Sequence, residues 1–127
     1  MEIMDGVNWI AVIVGAVVAF LFGWGWYSPK LMGTKWAKGS NVEIHTDEGI
    51  PTSAMIAQFI GLFLMSWFVA LMAAGDKLFT VILATAAFTV MAWAGSTFSG
   101  KTVEARNIDS GYWIICLILM IIANAMF

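Results

Sequence analysis

Charge is scarce in this chain. Only 11% of its 127 residues are Asp, Glu, Lys or Arg, under half the share of about 25% found in an average soluble domain. So few charges cannot clothe a water-facing surface, which argues against an ordinary soluble globule. The 6 basic residues are outnumbered by 8 acidic ones, so the basic clusters that nucleic acid phosphates require are missing and no nucleic acid partner is expected. A single cysteine, Cys116, and a single histidine, His45, exclude an intramolecular disulfide and a His/Cys metal cluster within one chain. No long apolar run contains a histidine, so the usual imidazole ligation of a haem or chlorophyll metal is absent. Nor is there a phosphate loop, a haem attachment motif, or a nucleophile and base at a recognisable spacing. Catalytic residues, metal ligands and cofactors are therefore not expected, and the chain reads as a non-enzyme.

What the sequence has in quantity is apolar surface, 61% of all residues. It falls in four runs, 7–27, 53–74, 78–98 and 110–127, none with a charge inside it. A helix needs about 20 residues at 1.5 Å each to cross the hydrocarbon core. The runs lack the period-2 alternation of membrane strands, and four segments are too few to close a barrel. The expected fold is all-α: a single four-span domain over 1–127, an integral membrane four-helix bundle. The opening Met1–Asp5 is acidic where a cleavable leader begins basic, so the first span is expected to remain as an anchor.

The connections set the topology. Gly75, Asp76 and Lys77 alone separate the second and third runs, predicting a short hairpin in which Gly75 takes a left-handed position and Asp76 caps the next helix. The 28–52 segment is long and punctuated by Pro29, Gly33, Gly39, Gly49 and Pro51, and reads as a loop. The 99–109 connection ends at Asp109, placed to cap the last helix; a charge pair with Arg106 is the other reading of that carboxylate. Lys30, Lys35, Lys38, Lys101 and Arg106 lie on the side of the two long connections, against Lys77 alone on the other. This asymmetry predicts a cytoplasmic long loop and both termini on the outer, periplasmic side of a bacterial inner membrane.

Three groups of side chains are candidates for function. Ala11, Gly15, Ala19 and Gly23 recur every four residues and open a shallow groove on the first helix, for close packing inside the chain or against another subunit. Trp26, Tyr27, Tyr112 and Trp113 gather at the cytoplasmic boundary with Pro29, Lys30, Lys35, Trp36, Lys38, Arg106 and Asp109. There the aromatic rings suit the headgroup zone and each Lys near anionic lipid adds about 1 kcal/mol of attraction. Gln58, Thr85, Thr89 and Ser96 form a candidate polar path, although Ser and Thr also bond to their own helix carbonyls. Ionisable groups at mid-membrane, the mark of ion-coupled carriers, are absent from the runs.

Trp26-Tyr27-Ser28-Pro29, then Gly33 and Trp36, resembles the opening signature of the bacterial membrane family catalogued as domain of unknown function 1761. Ile108-Asp109 followed by Gly111-Tyr112-Trp113 resembles its closing signature, and Met32 stands where the family pattern has Phe. The resemblance implies fold and membrane location and carries no catalytic residue. Together these features predict a structural or accessory subunit that self-assembles, or joins a larger membrane complex, through helix contacts, with lipid as its other partner. A pore or transporter for a small neutral solute, lined by the polar path in an oligomer, is the alternative.

Overall fold

The computed structural model describes residues 6–28, 31–40 and 52–127. It is all-α, with five helices among the described residues: α1 Trp9–Trp26, α2 Gly33–Ser40, α3 Thr52–Ala74, α4 Leu78–Phe98 and α5 Val103–Met126. Four of them, all but α2, are long and apolar enough to cross a membrane. α1 packs most extensively on α3 and α5, while α2 rests against α5. The core runs between these faces through Ala19, Leu62, Val69, Tyr112, Leu117 and Met120.

The 28–52 segment is not wholly loop, because Gly33–Ser40 forms a helix that docks by its small residues. The Gly39 carbonyl accepts from the Thr102 amide at 3.1 Å, and a Cβ at Gly39 would run into the Thr102 hydroxyl and the Ala105 methyl. The last helix begins at Val103, seven residues before the apolar run, and its cap is Thr102, whose hydroxyl accepts from the Ala105 amide at 3.2 Å. Hydropathy marks where lipid begins rather than where a helix begins, so the polar first two turns were invisible to it. Asp109 is consequently an interior helical residue and caps nothing.

The ends of α3 and α4 share one mechanism. After α3, the Lys77 amide donates to the Met72 carbonyl at 2.7 Å and the Asp76 amide to that of Ala73 at 3.2 Å. This is the paired closure in which one residue turns left-handed to satisfy the last carbonyls. That residue is Asp76, at φ 56°, and not Gly75; α4 starts behind Lys77 without a side-chain cap. After α4, Lys101 donates to Ser96 and Gly100 to Thr97 in the same pattern, with Gly100 at φ 84°. The second closure reverses the chain within a few residues and leaves the Lys101 side chain beside α5.

The small-residue ladder of α1 is used inside the chain. Ala11, Gly15, Ala19 and Gly23 are all buried. A Cβ on Gly15 would stand 2.7 Å from Ser66 Oγ, and one on Gly23 would stand 2.6 Å from the Tyr112 hydroxyl. Two hydrogen bonds fasten the approach: Ser66 donates to the Val12 carbonyl at 2.8 Å, and Tyr112 to that of Ala19 at 2.8 Å. Of the two readings of the ladder, the geometry is that of packing against α3 and α5.

Candidate functional site: a polar cluster under aromatic rings

The end of α1, the docked α2, the start of α3, the end of α4 and the start of α5 meet at one end of the bundle around a cavity of about 390 Å³. Its aromatic walls are Phe20, Trp24, Tyr27, Trp36, Tyr112 and Trp113, and its polar lining includes Gln58, Ser96, Lys101 and Asp109.

Asp109 is the hub. It is only 7% exposed, yet both carboxylate oxygens are occupied: Tyr27 donates its hydroxyl to Oδ1 at 2.5 Å and Lys101 Nζ lies 2.8 Å from Oδ2. A buried carboxylate is tolerated only when paired in this way. Tyr27, just past the end of α1, keeps its proton, since burial and then the facing carboxylate both push its ionisation far above the ordinary range for a phenol. The hydroxyl is thus a fixed donor. Gly33 makes this placement possible, because the chain turns so tightly after α1 that a Cβ there would strike the Tyr27 carbonyl oxygen and the backbone of Ser28.

The rings are arranged around the pair. Tyr27 meets Trp36 edge-on at 5.1 Å and Tyr112 edge-on at 5.4 Å, geometries that match the quadrupoles of aromatic rings. The Lys101 ammonium also sits 5.6 Å from the centre of the Trp36 ring. The Trp36 indole nitrogen is buried and has no hydrogen-bond partner among the described residues. Between α5 and α4, the buried Arg106 guanidinium stacks 4.1 Å over Trp93 and bonds to Thr97 and to the Thr102 carbonyl.

The aromatic and basic residues expected at the boundary fall into two groups, one packed inward and one left outside. Trp36 packs edge-on against Tyr27, Tyr112 is 2% exposed, and Trp26 donates to the Ile108 carbonyl at 3.0 Å. Lys35 and Lys38 remain outside, with Asn107, around a second, polar depression. Pro29 and Lys30 lie outside the described residues. A pair with Arg106 was the alternative to a cap at Asp109; the partner formed is Lys101, which follows the left-handed Gly100. Gln58 and Ser96 share the cavity, whereas Thr85 and Thr89 are buried on α4 away from its lining. Trp113 lines the cavity and packs on Phe88 at 5.3 Å.

Five of the signature residues, Tyr27, Trp36, Asp109, Tyr112 and Trp113, line the cavity. The sequence model of a family described as protein of unknown function, DUF1761, matches residues 10–124. The chain belongs to the DUF1761 family. No curated protein and no solved structure matches it. Within this DUF1761 chain, Lys101 is the site residue that sequence reasoning passed over as a loop cation. Its signal was the Ser99-Gly100-Lys101 run, a helix stop followed by a cation eight positions before a carboxylate.

Proposed function

We propose that this DUF1761 protein is a multi-pass protein of the bacterial inner membrane that binds a small, uncharged amphipathic molecule at the α2 end of its bundle, without chemistry of its own. The observation that carries this is a cavity that combines apolar ring walls with a polar cluster already neutral within itself. Sites for small molecules have this make-up, largely apolar with a few convergent polar groups, and run from about 300 to 1,000 Å³. Asp109 already accepts from two donors, which leaves it poorly placed to act as a base and supports binding over catalysis. The basic residues gathered at this end support a cytoplasmic position for the cavity, with both chain termini outside.

A homo-oligomer, or a place in a larger complex, would use the outer face of α4, where Phe79, Leu83, Val90, Met91 and Phe98 are exposed, since the α1 ladder is occupied. A solute path along helix α4 has less support, because Thr85 and Thr89 are packed away from Gln58 and Ser96.

The test is native mass spectrometry of the chain purified from membranes in mild detergent. A small-molecule adduct is expected on the natural protein and not on Ser96→Trp, whose ring fills the cavity, while Lys77→Trp at the opposite end keeps it. Equal adducts on all three proteins, or none on the natural one, would remove the cavity from the functional reading.

A further inference from the structure

We infer that the cavity takes a lipid-soluble planar ring bearing carbonyl oxygens, the chemistry of a quinone, delivered from the bilayer through a side opening beside Trp24, Ala54 and Gln58. The inference rests on the binding reading above and narrows it to one ligand class.

The opening follows from where the helices are buried. On α3 the buried positions are Leu62, Ser66, Val69 and Ala70, and on α4 they are Val81, Thr85 and Thr89. No described residue of 53–61 or of 90–98 is buried. Both helices bury their side chains nearer their three-residue connection; at the cavity end α4 is held to α5 by Trp93 and Thr97 on Arg106, while the start of α3 is left largely exposed. The wall residues Trp24, near the end of α1, and Ala54 and Gln58, at the start of α3, are exposed and mark the mouth of the cavity. Gln58 is six residues into α3, about 9 Å along the helix, so the mouth opens toward lipid and favours a molecule dissolved there.

The ligand class follows from the walls and the spare hydrogen-bonding groups. Flat ring faces on several sides favour a planar guest by offset or edge-on stacking. The polar groups are rich in donors: Lys101 uses one of its N–H groups on Asp109, the Trp36 indole N–H has no partner among the described residues, and Ser96 adds a hydroxyl. A buried donor left unpaired is costly, so a guest that brings acceptors is favoured over one that brings protons. The charges cancel within the site. An anion would arrive without a free counter-charge, and a quaternary ammonium would meet the Lys101 ammonium already beside Trp36. A neutral ring with carbonyl oxygens meets every condition.

The experiment uses the full chain in phosphatidylcholine nanodiscs, titrated with ubiquinone-1, ubiquinol-1 or oleic acid and read by native mass spectrometry. One ubiquinone-1 per chain is expected, with ubiquinol-1 binding several-fold weaker because its hydroxyls bring protons to a donor-rich site. Trp36→Phe, which keeps the ring and removes the N–H, should weaken ubiquinone-1 by three- to tenfold, and Ser96→Trp should abolish it. Oleic acid bound while ubiquinone-1 is not would overturn the ring class and leave the binding reading intact. Ubiquinone-1 bound equally by the natural chain and both variants would show partition into lipid and overturn the site. Binding of none of the three, with no adduct on the purified protein, would overturn both readings.

Discussion

Replacing Gly15 by Ala should destabilise the chain, and removing one oxygen from α3 should cancel the effect. The added Cβ would stand 2.7 Å from Ser66 Oγ and 3.4 Å from Met120 Cγ. The first approach is well inside contact distance, and Ser66 is fully buried and already donates to Val12. The hydroxyl must rotate off the Val12 carbonyl, losing about 1 kcal/mol of hydrogen bond, and the crowding that remains adds about 1–3 kcal/mol. Against this, Ala gains about 1 kcal/mol over Gly in helix propensity. The net loss is about 1–3 kcal/mol. Ser66→Ala alone should cost about 1 kcal/mol. In the double variant the oxygen that obstructs the new methyl is gone, so stability should return to that of Ser66→Ala or above it, a favourable coupling of about 1–3 kcal/mol. The assay is a double-mutant cycle on thermal unfolding in a fixed detergent, with particle mass followed by light scattering. Additive effects, or a change of mass in Gly15→Ala without loss of stability, would refute packing of the ladder within the chain.

Other substitutions test the remaining parts. Gly33→Ala should lower stability by about 2–3 kcal/mol, because backbone rather than a movable side chain blocks the methyl, and proteolysis near α2 should quicken; an unchanged melting temperature would contradict the tight turn. Asp76→Gly should raise stability by about 0.5–1 kcal/mol in thermal melts by relieving a left-handed φ, and a loss would contradict the closure described for α3. Asp109→Asn should cost about 1–3 kcal/mol, less than the full penalty for a dry buried pair since the Lys101 side chain is 27% exposed, and Lys101→Met in that background should recover part of it; no coupling between the two would dissolve the pair. A cysteine probe at Lys38→Cys in a Cys116→Ala background should resist impermeant maleimide in intact bacteria and react after lysis, and labelling from outside would invert the proposed orientation.

The sequence showed some of this structure readily and hid the rest for identifiable reasons. Long uncharged runs gave α1, α3 and α4 nearly to the residue, because a membrane helix advertises itself by the same apolarity that lipid demands. α5 was read seven residues short, since Arg106 and Asp109 resembled loop charges; both are held in a helix by partners, Trp93 and Lys101, that lie outside it. α2 was missed because its eight residues include two glycines, two lysines and no long apolar side chain except Trp36. Its signal was Gly33, Trp36, Ala37 and Ser40 on one face with Lys35 and Lys38 off it. The aromatic cluster was legible as composition, but its mutual packing was not, because rings that meet water and rings that meet one another are the same letters. Only tertiary contact shows Trp36 turned onto Tyr27.

The most direct measurement is a density map of the full chain in nanodiscs with ubiquinone-1 present and absent. The expected result is a flat feature beside Trp36 and Lys101, in the cavity between Tyr112 and Trp113, that disappears without the ligand while the Asp109–Lys101 pair stays in place. A cavity closed by its own walls in both maps, with Trp24 or Trp113 folded onto Asp109, would contradict the binding function and leave this end of the bundle as packing alone.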